Sequence, residues 1–165
     1  MASSVFTFPN PVNEVSARLV AGGVVIMAAA AIIFDQPWIT IVIAYGFVAR
    51  VLSGPTLSPL GQFVTRVLTP RLGFKEKLVA GPPKRFAQGM GVVFSVAAAI
   101  LAVGFGLTAA AYIVLGLLIV AATLESVFAL CLGCKAFAVL MRIGVIPEAV
   151  CEECNNIWSR TTQPV

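Results

Sequence analysis

Histidine is absent from all 165 residues, acidic residues number only 7, and charged residues of either sign make up 11%. Without histidine no Ser-His or Cys-His catalytic pair can form, and His-ligated haem and mixed Cys/His zinc sites are excluded with it. A water-soluble domain carries about 25% charged residues to cover its surface. Here 59% of residues are apolar and the mean hydropathy is +1.00, which excludes both a soluble domain and a disordered chain. No G-x-x-x-x-G-K-[ST] or G-x-G-x-x-G motif is present, so nothing in the sequence cradles a nucleotide. What remains is an integral membrane protein of one domain, residues 1–165, lying in the lipid bilayer. Its net charge of +4 reads as the basic excess of a cytoplasmic face and not as a nucleic-acid surface.

A membrane-crossing helix takes about 17–25 mainly apolar residues. Leu19 to Phe34 is free of charge, and Pro37 to Leu52 holds only Arg50. Asp35-Gln36-Pro37 between them is a polar break with a helix-starting proline. From Phe86 to Leu124 there is no charge at all. One helix of that length would measure about 58 Å, too long for a bilayer of about 30 Å, and Gly104, Gly106 and Thr108 mark the break. The expected spans are therefore 19–34, 37–52, 88–103 and 108–130, an all-α four-helix membrane bundle. Nothing before the first span reads as a cleaved signal peptide.

Orientation follows from the connections. Residues 53–85 hold Arg66, Arg71, Lys75, Lys77, Lys84 and Arg85, and the other two connections hold no Lys or Arg. The positive-inside rule places this loop and both termini in the cytoplasm. Within the loop Leu60, Phe63, Val64, Val67 and Leu68 repeat at helical spacing. They predict a short helix ending near Pro70, read equally as a surface helix on the membrane or as one packed on the bundle.

All four cysteines lie in the last 35 residues, as Cys131-Leu-Gly-Cys134 and Cys151-Glu-Glu-Cys154, in or beside a cytoplasmic tail over 131–165. A reducing compartment argues against a permanent disulfide. Two chemistries use this spacing. In thiol–disulfide exchange or sulfur transfer, one sulfur of Cys131/Cys134 attacks a partner and the other resolves the mixed species. Alternatively Cys131, Cys134, Cys151 and Cys154 hold a structural zinc, or less readily an iron–sulfur cluster. Lys135 favours thiolate in the first pair, and Glu152 and Glu153 disfavour it in the second. A helix restarting at Cys134 would add N-terminal stabilisation to that sulfur.

Glu125 is an ionisable group inside a span, which is expensive. Arg50 and Glu125 lie about 21 and 25 Å from the outer ends of their spans at 1.5 Å per residue. An ion pair between Arg50 and Glu125 would relieve both, unless Arg50 reaches the headgroups and Glu125 is protonated. A polar path past the two for a small solute is the weakest reading.

Three stretches together carry a resemblance: Gly81-Pro-Pro-Lys-Arg-Phe-Ala-Gln88, Cys131-Leu-Gly-Cys-Lys135, and Arg142-Ile-Gly-Val-Ile-Pro147 followed by Cys151-Glu-Glu-Cys154. From about Pro11 to Trp158 the chain resembles a family of small bacterial integral membrane proteins known as a domain of unknown function. The resemblance implies a multi-pass protein of the bacterial inner membrane with a thioredoxin-like or rhodanese-like partner, and so favours thiol or sulfur chemistry. By the same analogy the Gly81–Gln88 block starts the third span, with Lys84 and Arg85 as headgroup anchors or, alternatively, as ligands for an oxyanion.

Overall fold

The computed structural model describes residues 8–73, 75–147 and 150. Its main elements are helices: α1 (Glu14–Ile33), α2 (Ile39–Ser53), the short α3 (Pro59–Phe63) and α4 (Thr69–Leu72), α5 (Gly81–Ala99), α6 (Thr108–Phe128) and α7 (Leu132–Arg142). Two-residue strands β1 (Val12–Asn13) and β2 (Leu78–Val79) pair antiparallel, Val12 opposite Val79 and Asn13 opposite Leu78. This small ladder ties the segment before α1 to the segment before α5. Two isolated residues carry no periodicity, so the sequence gives no sign of it.

Three helical stretches are long and apolar enough to cross a membrane: Glu14–Ile33, Gly81–Gly104 and Thr108–Phe128. Ile39–Ser53 is equally apolar but only 15 residues long. Large apolar side chains cover the outside as well as the inside. Ile26, Val93, Ile113 and Val120 are each more than half exposed, a surface that suits lipid and not water.

Two helices begin earlier than apolarity alone suggests. α1 starts at Glu14, where the Asn13 side chain accepts a hydrogen bond from the Val15 amide at 3.0 Å. Its amphipathic first turn lies outside the purely apolar run. α5 starts at Gly81, seven residues ahead of Gln88. Pro82 and Pro83 do not delay the helix. In a first turn no backbone N–H is required and φ is already set, so prolines open it.

α1 packs on α6, α2 on α5, and α5 on α6. The core holds Val24, Ala28, Ala31, Ile43, Ala98 and Leu115, all essentially inaccessible. Small residues dominate because helices in lipid gain stability from close van der Waals contact. At Gly91 the approach is closest: a Cβ there would lie 2.1 Å from the Phe47 ring of α2. Residues 59–72 form one irregular helical run, widened to a π-turn over Val64–Leu68 ahead of Pro70, which lacks the N–H of an α-turn. Val64 is buried, and Leu60 packs against the core and touches Gly23 of α1. Of the stripe's residues, Phe63 turns outward.

Candidate functional site

The Gly81–Gln88 block and the Cys131–Lys135 block are 43 residues apart between Gln88 and Cys131, yet they meet at one end of the helices. Helical spacing explains how. Lys84, Ala87, Gln88 and Gly91 stand at i, i+3, i+4 and i+7, so they share one face of α5. Lys84 meets Glu125 of α6, Ala87 meets Gly133 of α7, and Gln88 and Gly91 meet Arg50 and Phe47 of α2.

Lys84 donates from Nζ to Glu125 Oε1 at 2.8 Å, with side chains 7% and 17% exposed. Breaking such a pair strands the other charge, which is why both members sit deep together. Glu125's ion-pair partner is thus Lys84, not Arg50. Arg50 is buried and donates from Nε to Gln88 Oε1 at 3.0 Å and from Nη1 to Ser58 Oγ at 3.4 Å, with its guanidinium 4.5 Å from the Phe47 ring centre. With the third span started at Gln88, Lys84 falls in a loop at the headgroups, whereas α5 in fact begins at Gly81. The signal missed is the proline pair, which carries the helix back to Gly81. Arg85, on another face, donates to the Val51 carbonyl at 3.1 Å and satisfies the end of α2.

The cysteine motif lies where α6 hands over to α7. α6 ends at Phe128, and Ala129 turns the chain with φ of +56°. Arg18 of α1 donates to the carbonyls of Ser126 and Val127, both at 3.1 Å, a cationic cap where the helix dipole is negative. α7 then starts at Leu132 with Cys131 as its N-cap: the Cys131 sulfur accepts from the Cys134 amide at 3.4 Å. The helix N-terminus therefore stabilises Cys131, not Cys134, because the break falls at Ala129 and not at Gly133. Gly133 has a different task. A Cβ on it would lie 2.5 Å from both Cα and Cβ of Ala87, so glycine lets α7 lie against α5. Phe86 and Phe137 pack beside this contact with ring centres 5.7 Å apart.

Cys131 and Cys134 are both free thiols. A hydrogen bond from the Cys134 thiol holds Cys131 below its usual thiol range, against burial and the Glu125 charge; Lys84 and the Cys134 amide act in the same direction. The same hydrogen bond and burial push the Cys134 thiol up. The pair is polarised into a thiolate-prone sulfur and a proton-holding one. A cavity of about 310 Å³ borders Cys131, Glu125, Arg50 and Gln88 and is otherwise lined mainly by apolar residues.

Cys151 and Cys154 lie outside the described residues, as does any four-cysteine zinc site that needs them. Among the described residues, no three His, Cys, Asp or Glu side chains converge to hold a metal. Residues 12–142 match the family described as Domain of unknown function (DUF4395), and the chain belongs to that family. No curated protein and no solved structure matches it.

Proposed function

We propose that this family member is a four-span protein of the bacterial inner membrane whose cytoplasmic face carries a thiol–disulfide exchange site at Cys131 and Cys134. The single observation that supports this best is the placement of Cys131: its sulfur caps α7, accepts from Cys134 and lies in the field of Lys84. Those three features favour a thiolate, the form that attacks sulfur. The four basic residues Arg66, Arg71, Lys75 and Lys77 in the connection between α2 and α5 put this end of the helices in the cytoplasm by the positive-inside rule. The termini then lie on the same side.

In the reaction, the Cys131 thiolate attacks one sulfur of a partner's disulfide. A Cys131–partner mixed disulfide forms and the partner's other sulfur leaves as thiolate. Cys134, after giving up its proton, attacks the Cys131 sulfur, forming the Cys131–Cys134 disulfide and releasing the partner's second thiolate. The partner disulfide is reduced by two electrons and the Cys131/Cys134 dithiol is oxidised by two. A thioredoxin-like dithiol restores it by the reverse exchange.

The test is alkylation of the full chain in detergent without chelator, with bound metal measured in parallel. One fast thiol near neutral pH, lost in Cys131→Ser, together with an internal disulfide after exposure to oxidised thioredoxin, is the expected result. About one zinc per chain, with thiols that react only after chelation, would replace this reading with the structural zinc site.

A further inference from the structure

Independently of the thiol reading, we propose that the cavity beside Arg50, between the segment preceding α1 and the helical run over 59–72, is a binding site for an oxyanion of the phosphate class. This cavity measures about 510 Å³, and its wall includes Arg50, Gln88, Lys84 and the hydroxyl-bearing Ser16, Thr65 and Thr69.

Charge is the first argument. Arg50 and Lys84 are each 5% exposed. The carboxylate beside them, Glu125, with its side chain 17% exposed, is taken by Lys84 at 2.8 Å. Among the described residues no carboxylate lies within ion-pair distance of Arg50. Glu76, at the cavity rim, is exposed and solvated. Glu14 is paired with Lys77 at 2.7 Å. Arg50 is therefore a buried cation without an ion-pair partner of its own: Glu125 acts on it only from beyond ion-pair distance, and Cys131, thiol or thiolate, borders the other cavity. A buried ion so placed is costly unless something neutralises it.

Donor geometry is the second argument. A guanidinium has five N–H groups in a rigid fork. Gln88 and Ser58 take one each from Nε and Nη1, which leaves donors for a further acceptor. A planar fork is the usual way a phosphate is held, two oxygens at a time. Of the lining hydroxyls, Thr65 donates to the Gly61 carbonyl at 2.7 Å and Ser16 and Thr69 share one bond at 3.0 Å, which leaves one O–H of that pair to add to the fork. Arg50 also borders the 310 Å³ cavity, and with Val20 and Gln88 it lines both. The larger cavity exceeds one phosphate group, and Phe8, Pro9, Pro11 and Pro55 supply apolar walls for whatever the phosphate is attached to. The same chemistry is offered by free phosphate from the cytosol and by a phospholipid headgroup.

The two sources are separated by thermal unfolding of the full chain in nanodiscs. In discs of digalactosyldiacylglycerol, a lipid without phosphate, inorganic phosphate is compared with chloride at matched ionic strength. In a second arm, phosphatidylglycerol discs are used without phosphate. A ligand that binds only the folded chain raises the midpoint by mass action. A rise in the first arm identifies free phosphate, and a rise confined to the second identifies the headgroup. The rise should persist in Arg85→Gln and vanish in Arg50→Gln. Should Arg50→Gln not fold, Ala17→Leu fills the cavity from α1 and should abolish the rise while the chain stays folded. No rise in either arm overturns the proposal. So does a rise that survives Ala17→Leu.

Discussion

The two ends of the long helices solve the problem of polar groups in opposite ways. At the α1–α2 end, Tyr112 donates to Asp35 at 2.6 Å and Trp38 to Gln36 at 2.8 Å, and both bonds are exposed. At the Cys131 end, Lys84–Glu125, Arg50–Gln88 and Arg50–Ser58 are wholly or partly buried, and Arg18 caps α6 across 108 residues of sequence. An exposed hydrogen bond only exchanges for another when broken, whereas a buried ion has nothing to exchange with. One end is therefore a turn, and the other is where buried charge, close helix packing and the Cys131–Cys134 pair come together.

The strongest way to sharpen this contrast is Lys84→Ala. It leaves Glu125 half-buried and unpaired, and chemical unfolding should show a loss of about 3 kcal/mol, the scale for breaking a buried pair. The double change Lys84→Met with Glu125→Leu should recover most of that loss. A single-variant cost below that of an exposed pair would break the comparison.

Gly133→Ala comes next. A methyl 2.5 Å from Ala87 must push α7 off α5, costing about 2 kcal/mol on the scale of overpacked cores. Ala87→Gly should recover little of the loss, because the added methyl still lies 2.5 Å from the backbone Cα of residue 87. Gly116→Ala, in α6 with nothing within 4 Å of the added carbon, serves as the control and should not lower the unfolding midpoint, since alanine is the better helix former.

A third expectation concerns pH. Cys131 is held low chiefly by the Cys134 thiol hydrogen bond. Its thiolate therefore persists below the usual thiol range, and its alkylation rate should fall only at lower pH than for a free thiol. Cys134→Ala removes the largest cause, and the midpoint of the rate profile should move up. A profile that does not move would show that the N-terminus of α7 and Lys84 suffice. Smallest of all is Tyr112→Phe at the other end. Losing an exposed hydrogen bond should cost less than about 1 kcal/mol in the same unfolding assay.

Some of the Cys131 end is visible in one dimension. Glu125 stands out because a lone carboxylate in an apolar run demands a partner, and C-x-x-C brings two sulfurs onto one turn. The partner itself is not visible. Counting depth from the outer ends brings Arg50 and Glu125 to similar levels, but depth says nothing about which helix faces which. Lys84 wins because α5 lies against α6 and begins at Gly81. The position of the helix break is hidden for a similar reason: Ala129, not Gly133, adopts positive φ, because Gly133 is needed for contact with Ala87. Local propensity favours glycine for the turn, and the packing demand overrides it.

Composition and apolar runs by themselves determined that this is a helical membrane protein: a chain with 11% charged residues cannot solvate a surface, lipid leaves only helices or a closed barrel to satisfy the backbone, and the long unbroken apolar runs suit helices. They also determined where charge and sulfur fall along the chain. Only the tertiary structure decided that the proline block and the cysteine block meet, that Lys84 and not Arg50 neutralises Glu125, and that Cys131 caps α7. Those outcomes depend on which helix faces touch, and a periodic sequence marks the faces without naming their partners.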